Sequence, residues 1–303
     1  MKYAIRNRWS GNVQFEAEIE CTPDTSDGIK LGLAVRVAVE VVANLAGANL
    51  AGANLTDANL AGANLADANL ADANLTDANL AGANLTDANL TDANLTDAKL
   101  AGANLTGANL TDAYLARANL TDANLARANL ADANLADANL TDANLTDANL
   151  TDANLAGANL TGANLTGAYL TDAKLAGADL VGADLAGAYL AGADLRAFKA
   201  DMWLTLAQNK SEVPGLIRAL KEGRVNGSQY EGNCACLVGT IANIKGIDYA
   251  TLDHNSGYPA ERWFMMIREG DKPGDETGGG FAASKAIEWA EEFARLHDIE
   301  IAD

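Results

Sequence analysis

Leucine and alanine recur along half of this chain with a period of five. Leu occupies every fifth position from Leu45 to Leu195, 31 times, and Ala stands two residues before each, from Ala43 to Ala193. Between them sits Asn, replaced in places by Asp, Lys or Tyr. After each Leu comes Ala or Thr (once Val, once Arg), and then usually Asp or Gly. The unit is Ala-Asn-Leu-x-x. In a helix, five residues advance a net angle of about 140°, so the leucines would spiral around it instead of forming a stripe. In a flat strand, positions five apart fall on opposite faces. One geometry accepts the period: a short extended step with Ala and Leu pointing inward, followed by a two-residue corner. Asn, Asp and Gly are the residues that tolerate corner backbone angles. Four such steps would close a square coil of 20 residues, stacked on the next at the strand spacing of ~4.8 Å. The number of sides does not follow from the period alone.

The consensus Ala-(Asp/Asn)-Leu-x-x resembles the pentapeptide-repeat proteins over residues 43–197, which is 155 of 303. The resemblance implies a mainly β fold, a right-handed quadrilateral β-helix with Leu and Ala inside and four repeats per coil. The 31 repeats then make about 7–8 coils and a rod of ~37 Å. Such a rod leaves an open sheet edge at each end that must be covered.

The flanks, 1–42 and 198–303, read as those covers. Tyr3 to Trp9 and Asn12 to Glu20 alternate apolar and polar around Ser10-Gly11, which predicts a hairpin. From Ile29 to Val41 the apolar residues fit either a strand or a helix with Ile29, Leu33, Val37 and Val41 on one face. A helix capped by Ser26 or Asp27 is favoured, because a 13-residue strand would be unusually long. Phe198 falls where the next repeat needs an Ala, so the coil should stop there. Beyond it the five-residue period is lost. Helices are predicted at Asp201–Gln208, Glu212–Glu222 (capped by Ser211, stopped by Gly223), Cys234–Ile244 and Ala282–His297. A short strand or buried turn is predicted at Trp263–Ile267 and a Gly-rich acidic loop at Asp271–Gly280, together a small α+β domain.

Composition narrows the chemistry. The chain carries 41 Asp and Glu against 21 Lys and Arg, a net charge of −20, so it should repel nucleic-acid phosphates and anionic membranes. Three cysteines, Cys21, Cys234 and Cys236, make no disulfide framework. No apolar N-terminal leader or 18-residue apolar run occurs, which predicts a soluble, cytoplasmic protein. The 13 Asn-Leu-Thr triplets, glycosylation acceptors if the chain were secreted by a eukaryote, likewise favour a bacterial or phage cytoplasm. Neither His254 nor His297 stands at metal-ligand spacing, and Cys234-Ala235-Cys236 lacks the two further ligands of a zinc site. Asp271 to Glu276 offers oxygens without the spacing of a calcium loop. No phosphate-binding loop appears. The expectation is a non-enzyme with no catalytic residues, cofactor or metal.

The repeat tract holds 18 Asp against five Lys and Arg, a net of −13, with no Glu. If residues 20 apart stack, Asp72, Asp92, Asp112, Asp132, Asp152 and Asp172 form an unbroken file. Asp57, Asp77 and Asp97 form a second that Arg117 interrupts before Asp137. Asn44, Asn64, Asn84 and their successors should form amide ladders. Tyr169 and Tyr189 should stack and could mark a contact patch. These eight Asp and Tyr residues of the unbroken file and the tyrosine pair are the candidate interaction surface. The expected function is that of a scaffold binding a protein partner, with the aromatic-richer C-terminal domain supplying the contacts. Family members that protect bacteria from quinolones are understood to bind DNA gyrase as duplex mimics, so mimicry toward a DNA-binding enzyme is the alternative. Here the repeats are more regular and the C-terminal domain longer than in that group. A homodimer through the C-terminal helices is a further possibility that the sequence leaves open.

Overall fold

In the structure, a computed structural model, the described residues are 1–180, 183–225, 237–248, 252, 259–265, 267, 269–275 and 278–301. The five-residue period winds into a four-sided coil. Isolated parallel bridges join residues 20 apart, from Asn49↔Asn69 to Tyr169↔Tyr189. Three backbone bonds per repeat hold each coil to the next, one of them from the corner, Gly52 N to Ala71 O at 2.9 Å. Leu50 N donates to Asn69 O at 2.7 Å, and Asn69 N donates to Ala48 O at 2.8 Å. Leu and Ala fill the interior, as their spacing predicts, and the leucines are buried from Leu45 to Leu195. Each contributes about 1.5–3 kcal/mol by leaving water.

The corners explain the rest of the unit. Each is a four-residue turn closed from Ala N to Leu O, for example Ala73 N to Leu70 O at 3.0 Å. Its third residue has φ near +57°, as at Asp72, Asp92 and Asp132. A left-handed third residue after an ordinary second one is a type II turn, which calls for Gly or a residue that tolerates that region. That is why the fifth position of the repeat is Gly or Asp. Asn, between Ala and Leu in the extended step, is the bridge residue, as the unit predicts. Its side chain serves the corner from outside: Asn74 Oδ1 accepts from Thr76 N at 3.1 Å and from Thr76 Oγ1 at 2.7 Å.

The first coil is covered by the N-terminal flank. Strands β1 (Lys2–Asn7) and β2 (Val13–Glu18) pair antiparallel, shorter than predicted, with Trp9 in the turn. β1 then pairs antiparallel with β3 (Ala48–Asn49) of the first coil, giving the sheet order β2-β1-β3. Helix α1 (Asp27–Glu40) confirms the helical reading of this segment, with Ser26 at the N-cap position but making no side-chain cap bond. Its buried residues are Gly32, Ala34, Val35 and Ala38, whereas Ile29 and Val41 of the predicted face are exposed. The glycines are the reason. A Cβ at Gly28 would lie 2.4 Å from Gly52 O and one at Gly32 1.8 Å from Asn54 O. The helix therefore lies directly against coil backbone, and Gly28 O accepts from Asn54 N at 2.8 Å.

At the other end the coil stops where Phe198 predicts. Helix α2 (Arg196–Gln208) begins there, with Phe198 buried against Trp263 at 5.2 Å between ring centres. A 3-10 turn (Lys210–Glu212) leads into α3 (Val213–Lys221), followed by α4 (Leu237–Lys245), α5 (Pro259–Met265) and α6 (Gly278–Leu296). Trp263, read as strand or turn, is in α5. Among the described residues past the repeats every element is helical, so the β component expected of this domain is not found there. Ser211 bonds the Glu212 carboxylate instead of capping α3.

Candidate interaction surface

The six aspartates of the file sit on one corner edge of the square rod, not on a flat side, because each occupies the left-handed turn position. All six are exposed. Where the next coil has Gly at the same corner, the carboxylate leans along the rod toward it, as at Asp172 in the file and Asp137 on the next edge. A Cβ at Gly192 would meet Asp172 Oδ1 at 1.9 Å, and one at Gly157 would meet Asp137 Oδ1 at 2.2 Å. Successive charges in the file repel by about 0.9 kcal/mol at ~4.8 Å in water, a cost that salt reduces.

The neighbouring edge shows the same lean made use of. Arg117 stands one coil beyond Asp97 and grips its carboxylate with both ends of the fork, Nε to Oδ1 at 2.8 Å and Nη2 to Oδ2 at 2.5 Å. The Arg117 hydrogen bonds hold the Asp97 carboxyl below the ordinary carboxylate range and raise the Arg117 guanidinium in turn. Charge repulsion is thus relieved on the second edge and retained in full on the first.

Tyr169 and Tyr189 occupy the rod side that runs into the file's corner, where Asn49 to Asn149 stand in earlier coils. Their rings stack at 4.8 Å with an interplanar angle of 5°, leaving 46% and 51% exposed. The structure therefore brings the pair beside Asp172 at the C-terminal end of the file. The amide ladder precedes it on the same side, with Asn69 Nδ2 to Asn49 Oδ1 at 3.1 Å and Asn149 Nδ2 to Asn129 Oδ1 at 3.0 Å. Tyr114, not singled out from the sequence, stands two residues after Asp112, on the side leaving the same corner, and is 53% exposed. Its signal was present as a Tyr in an Asn position.

Most of the described aromatic residues of the C-terminal domain are buried. Trp263, Phe264, Trp289 and Phe293 are buried, and Trp203 and Trp263 spend their ring N–H groups on Trp289 O and Ala282 O. They build a core at the rod end, where Phe198 meets Trp263. His297 stacks on Phe293 at 4.0 Å and its Nδ1 lies 2.9 Å from Phe293 O. Asp275 accepts from its own loop, Lys272 N to Oδ2 at 2.7 Å, and Gly278 to Gly280, counted with that loop from the sequence, open α6. Cys234, Cys236 and His254 lie outside the described residues. Among those described, no group of metal-ligand side chains gathers, and no helix is long and apolar enough to cross a membrane.

The family of pentapeptide repeats matches in eight copies spanning residues 43–80, 73–112, 108–147, 128–167 and 163–197. The chain belongs to the pentapeptide-repeat family. Its four-sided coil is the right-handed quadrilateral β-helix of that family. No curated protein matches the chain. Among solved structures, it is 38% identical to HetL, a pentapeptide repeat protein involved in heterocyst differentiation regulation in Nostoc sp. strain PCC 7120. That match covers 49% of this chain and 75% of HetL with a TM-score of 0.27. A thylakoid-lumen pentapeptide repeat protein of Arabidopsis thaliana is 32% identical over 35% of this chain and 74% of its own, with a TM-score of 0.27. QnrB1, a plasmid-mediated fluoroquinolone resistance protein, is 19% identical over 48% of this chain and 73% of its own, with a TM-score of 0.35.

Proposed function

We propose that this protein is a non-catalytic, cytoplasmic interaction protein whose rod presents one acidic edge, bordered by exposed tyrosines, to a basic protein partner. The observation that carries this is the unbroken file Asp72 to Asp172, with Tyr169 and Tyr189 beside its end and Tyr114 along it. Tyrosine supplies large contact area at small entropic cost, and a file of carboxylates steers and orients a basic surface. Most of the described aromatic side chains of the C-terminal domain are buried, whereas the tyrosines of the rod are exposed, which favours the rod for the contact role. The test compares capture of partners by the full chain and by a variant with all six aspartates of the file changed to Asn. Partners lost with the variant and released by moderate salt support the reading; partners retained by both overturn it.

Duplex mimicry is the second reading, favoured by the same file. Its charge recurs every ~4.8 Å, against one per ~3.4 Å on a single DNA strand, so the resemblance in charge density is partial. Inhibition of gyrase supercoiling at low salt is the measurement. Micromolar protein that leaves supercoiling untouched excludes this reading for gyrase.

A further inference from the structure

The hairpin at the N-terminal end carries a surface opposite in sign to the rest of the molecule. Residues 1–15 hold Lys2, Arg6 and Arg8 and no acid, in a chain with a net charge of −20. Lys2 is answered by Glu16 at 2.6 Å, whereas the hydrogen bonds of Arg6 and Arg8 go to backbone oxygens. Arg6 Nη1 donates to Gly11 O at 3.0 Å, and Arg8 Nη1 donates to Asp67 O at 2.9 Å and to Ala68 O at 3.3 Å. Among the described residues each guanidinium therefore keeps its Nε and Nη2 open. These are the two atoms with which Arg117 grips Asp97. Trp9 stands beside them, 73% exposed, with the Arg8 guanidinium 4.3 Å from its ring centre. The turn is tied down: Asn7 Oδ1 accepts from Trp9 N and Ser10 N, both at 3.0 Å, and Arg8 N donates to Gly47 O at 2.7 Å. An exposed Trp flanked by arginines on a turn already fixed to the coil has the make-up of an interface anchor that costs little ordering on binding.

We propose that this hairpin tip docks onto a second copy of the chain, its arginines forking carboxylates of that copy's aspartate file. The proposal rests on the reading of the file as a surface for a basic partner, and it names this chain as that partner. Charge complementarity selects the occupant: open guanidinium forks and corner carboxylates are both on this molecule, and Arg117 on Asp97 shows that a corner aspartate of the rod accepts such a fork. A two-point bond of this kind is among the stronger charge-assisted contacts and fixes orientation as well. At the end of the file the exposed Tyr169 and Tyr189 offer Trp9 an apolar seat. Tip and edge are different surfaces, so the contact is heterologous, and the assembly grows as an open chain instead of closing as a dimer. The like net charge of the copies opposes growth and keeps the association weak.

The experiment is analytical ultracentrifugation of the full chain from about 10 μM to about 1 mM, the affinity range of one small contact. The mass should climb with concentration past that of two copies. Two variants each remove one half of the contact. The first joins Arg6→Glu to Trp9→Asp; both side chains are exposed and the Arg8 bonds to the coil are kept, so the melting temperature should not change. The second changes the six aspartates of the file to Asn, which also lowers the overall repulsion, so a loss of association there cannot come from charge at large. Each variant alone should stay monomeric. Mixed, they should form pairs of one copy of each and stop, since one intact tip and one intact edge remain. Trp9→Ala alone should weaken association by about tenfold or more, as loss of an anchoring Trp does. A chain that stays monomeric at the highest concentration, a variant that associates as the original does, or a mixture that forms no pairs would each overturn the proposal. The reading of the edge fails separately, in the capture test, because a chain that does not associate with itself can still hold a different basic partner through the file.

Discussion

At the scale of single residues, the fold depends on backbone angles that most side chains resist. Seventeen corner positions between residues 57 and 172 place Asp or Arg at φ between +54° and +59°. Asp bears this conformation better than most residues. Val42 bears it badly, because a β-branched side chain at φ +55° crowds its own carbonyl, and it is 89% exposed with little packing to compensate. Val42→Gly should therefore raise stability by about 1 kcal/mol in urea unfolding. The amide ladder gives the opposite case. Asn129 accepts from Ala131 N at 3.2 Å and from Asn149 Nδ2 at 3.0 Å, and donates to Thr111 Oγ1 at 2.8 Å. Asn129→Ala should lower stability by about 1–2 kcal/mol. For Asp97 the outcome is a titration. Its carboxyl is held low by Arg117, so any stability it contributes is present above the unfolded carboxylate pKa and disappears as pH falls through the lower folded value. Arg117→Ala should move the Asp97 carboxyl upward in an NMR titration.

At the scale of elements, the ends decide whether the rod is a closed object. α1 covers the first coil through its two smallest residues, and the hairpin extends the same end by antiparallel pairing. Gly32→Ala drives a methyl into Asn54 O, so the helix must lift from the coil. The expected loss is about 1–3 kcal/mol in urea unfolding, and amide exchange should rise across α1 and the first coil and not in distant coils. This end also shows where reading a sequence falls short. That 29–41 is helical follows from length and caps. Which face is buried does not, because the decisive contacts involve Gly28 and Gly32 and no apolar side chain, and an apolar pattern cannot report on them. The corners were legible for the complementary reason: Gly and Asp alternate at one position only, and a left-handed angle is what they share. Asn was legible as the outward residue of the extended step, but the hydrogen bonds of its side chain to the corner backbone were not, because they depend on the turn type. Trp263-Phe264-Met265-Met266-Ile267 is apolar throughout, so it offers no period by which helix could be told from strand.

At the scale of the whole molecule, one consequence of the winding sets the candidate surface. With four five-residue sides per coil, residues 20 apart align, and substitutions scattered along the sequence become edges of uniform character. The aspartate file was legible in the sequence through this arithmetic, as was the tyrosine stack. Its position on a corner edge was not, since it depends on the turn type. Nor was the withdrawal of most of the described C-terminal aromatics into a core, since composition says how many rings there are and not which way they face. The most direct test measures the winding itself. Spin-label pairs placed at Asp72 with Asp132, Asp152 or Asp172, in a chain with Cys21, Cys234 and Cys236 changed to Ser, report the rise along one edge. The account predicts distances near ~14, ~19 and ~24 Å, growing by ~4.8 Å for every 20 residues. Distances that grow by tens of ångströms per 20 residues, as ~1.5 Å per residue along a helix requires, or that do not grow linearly at all, would contradict it.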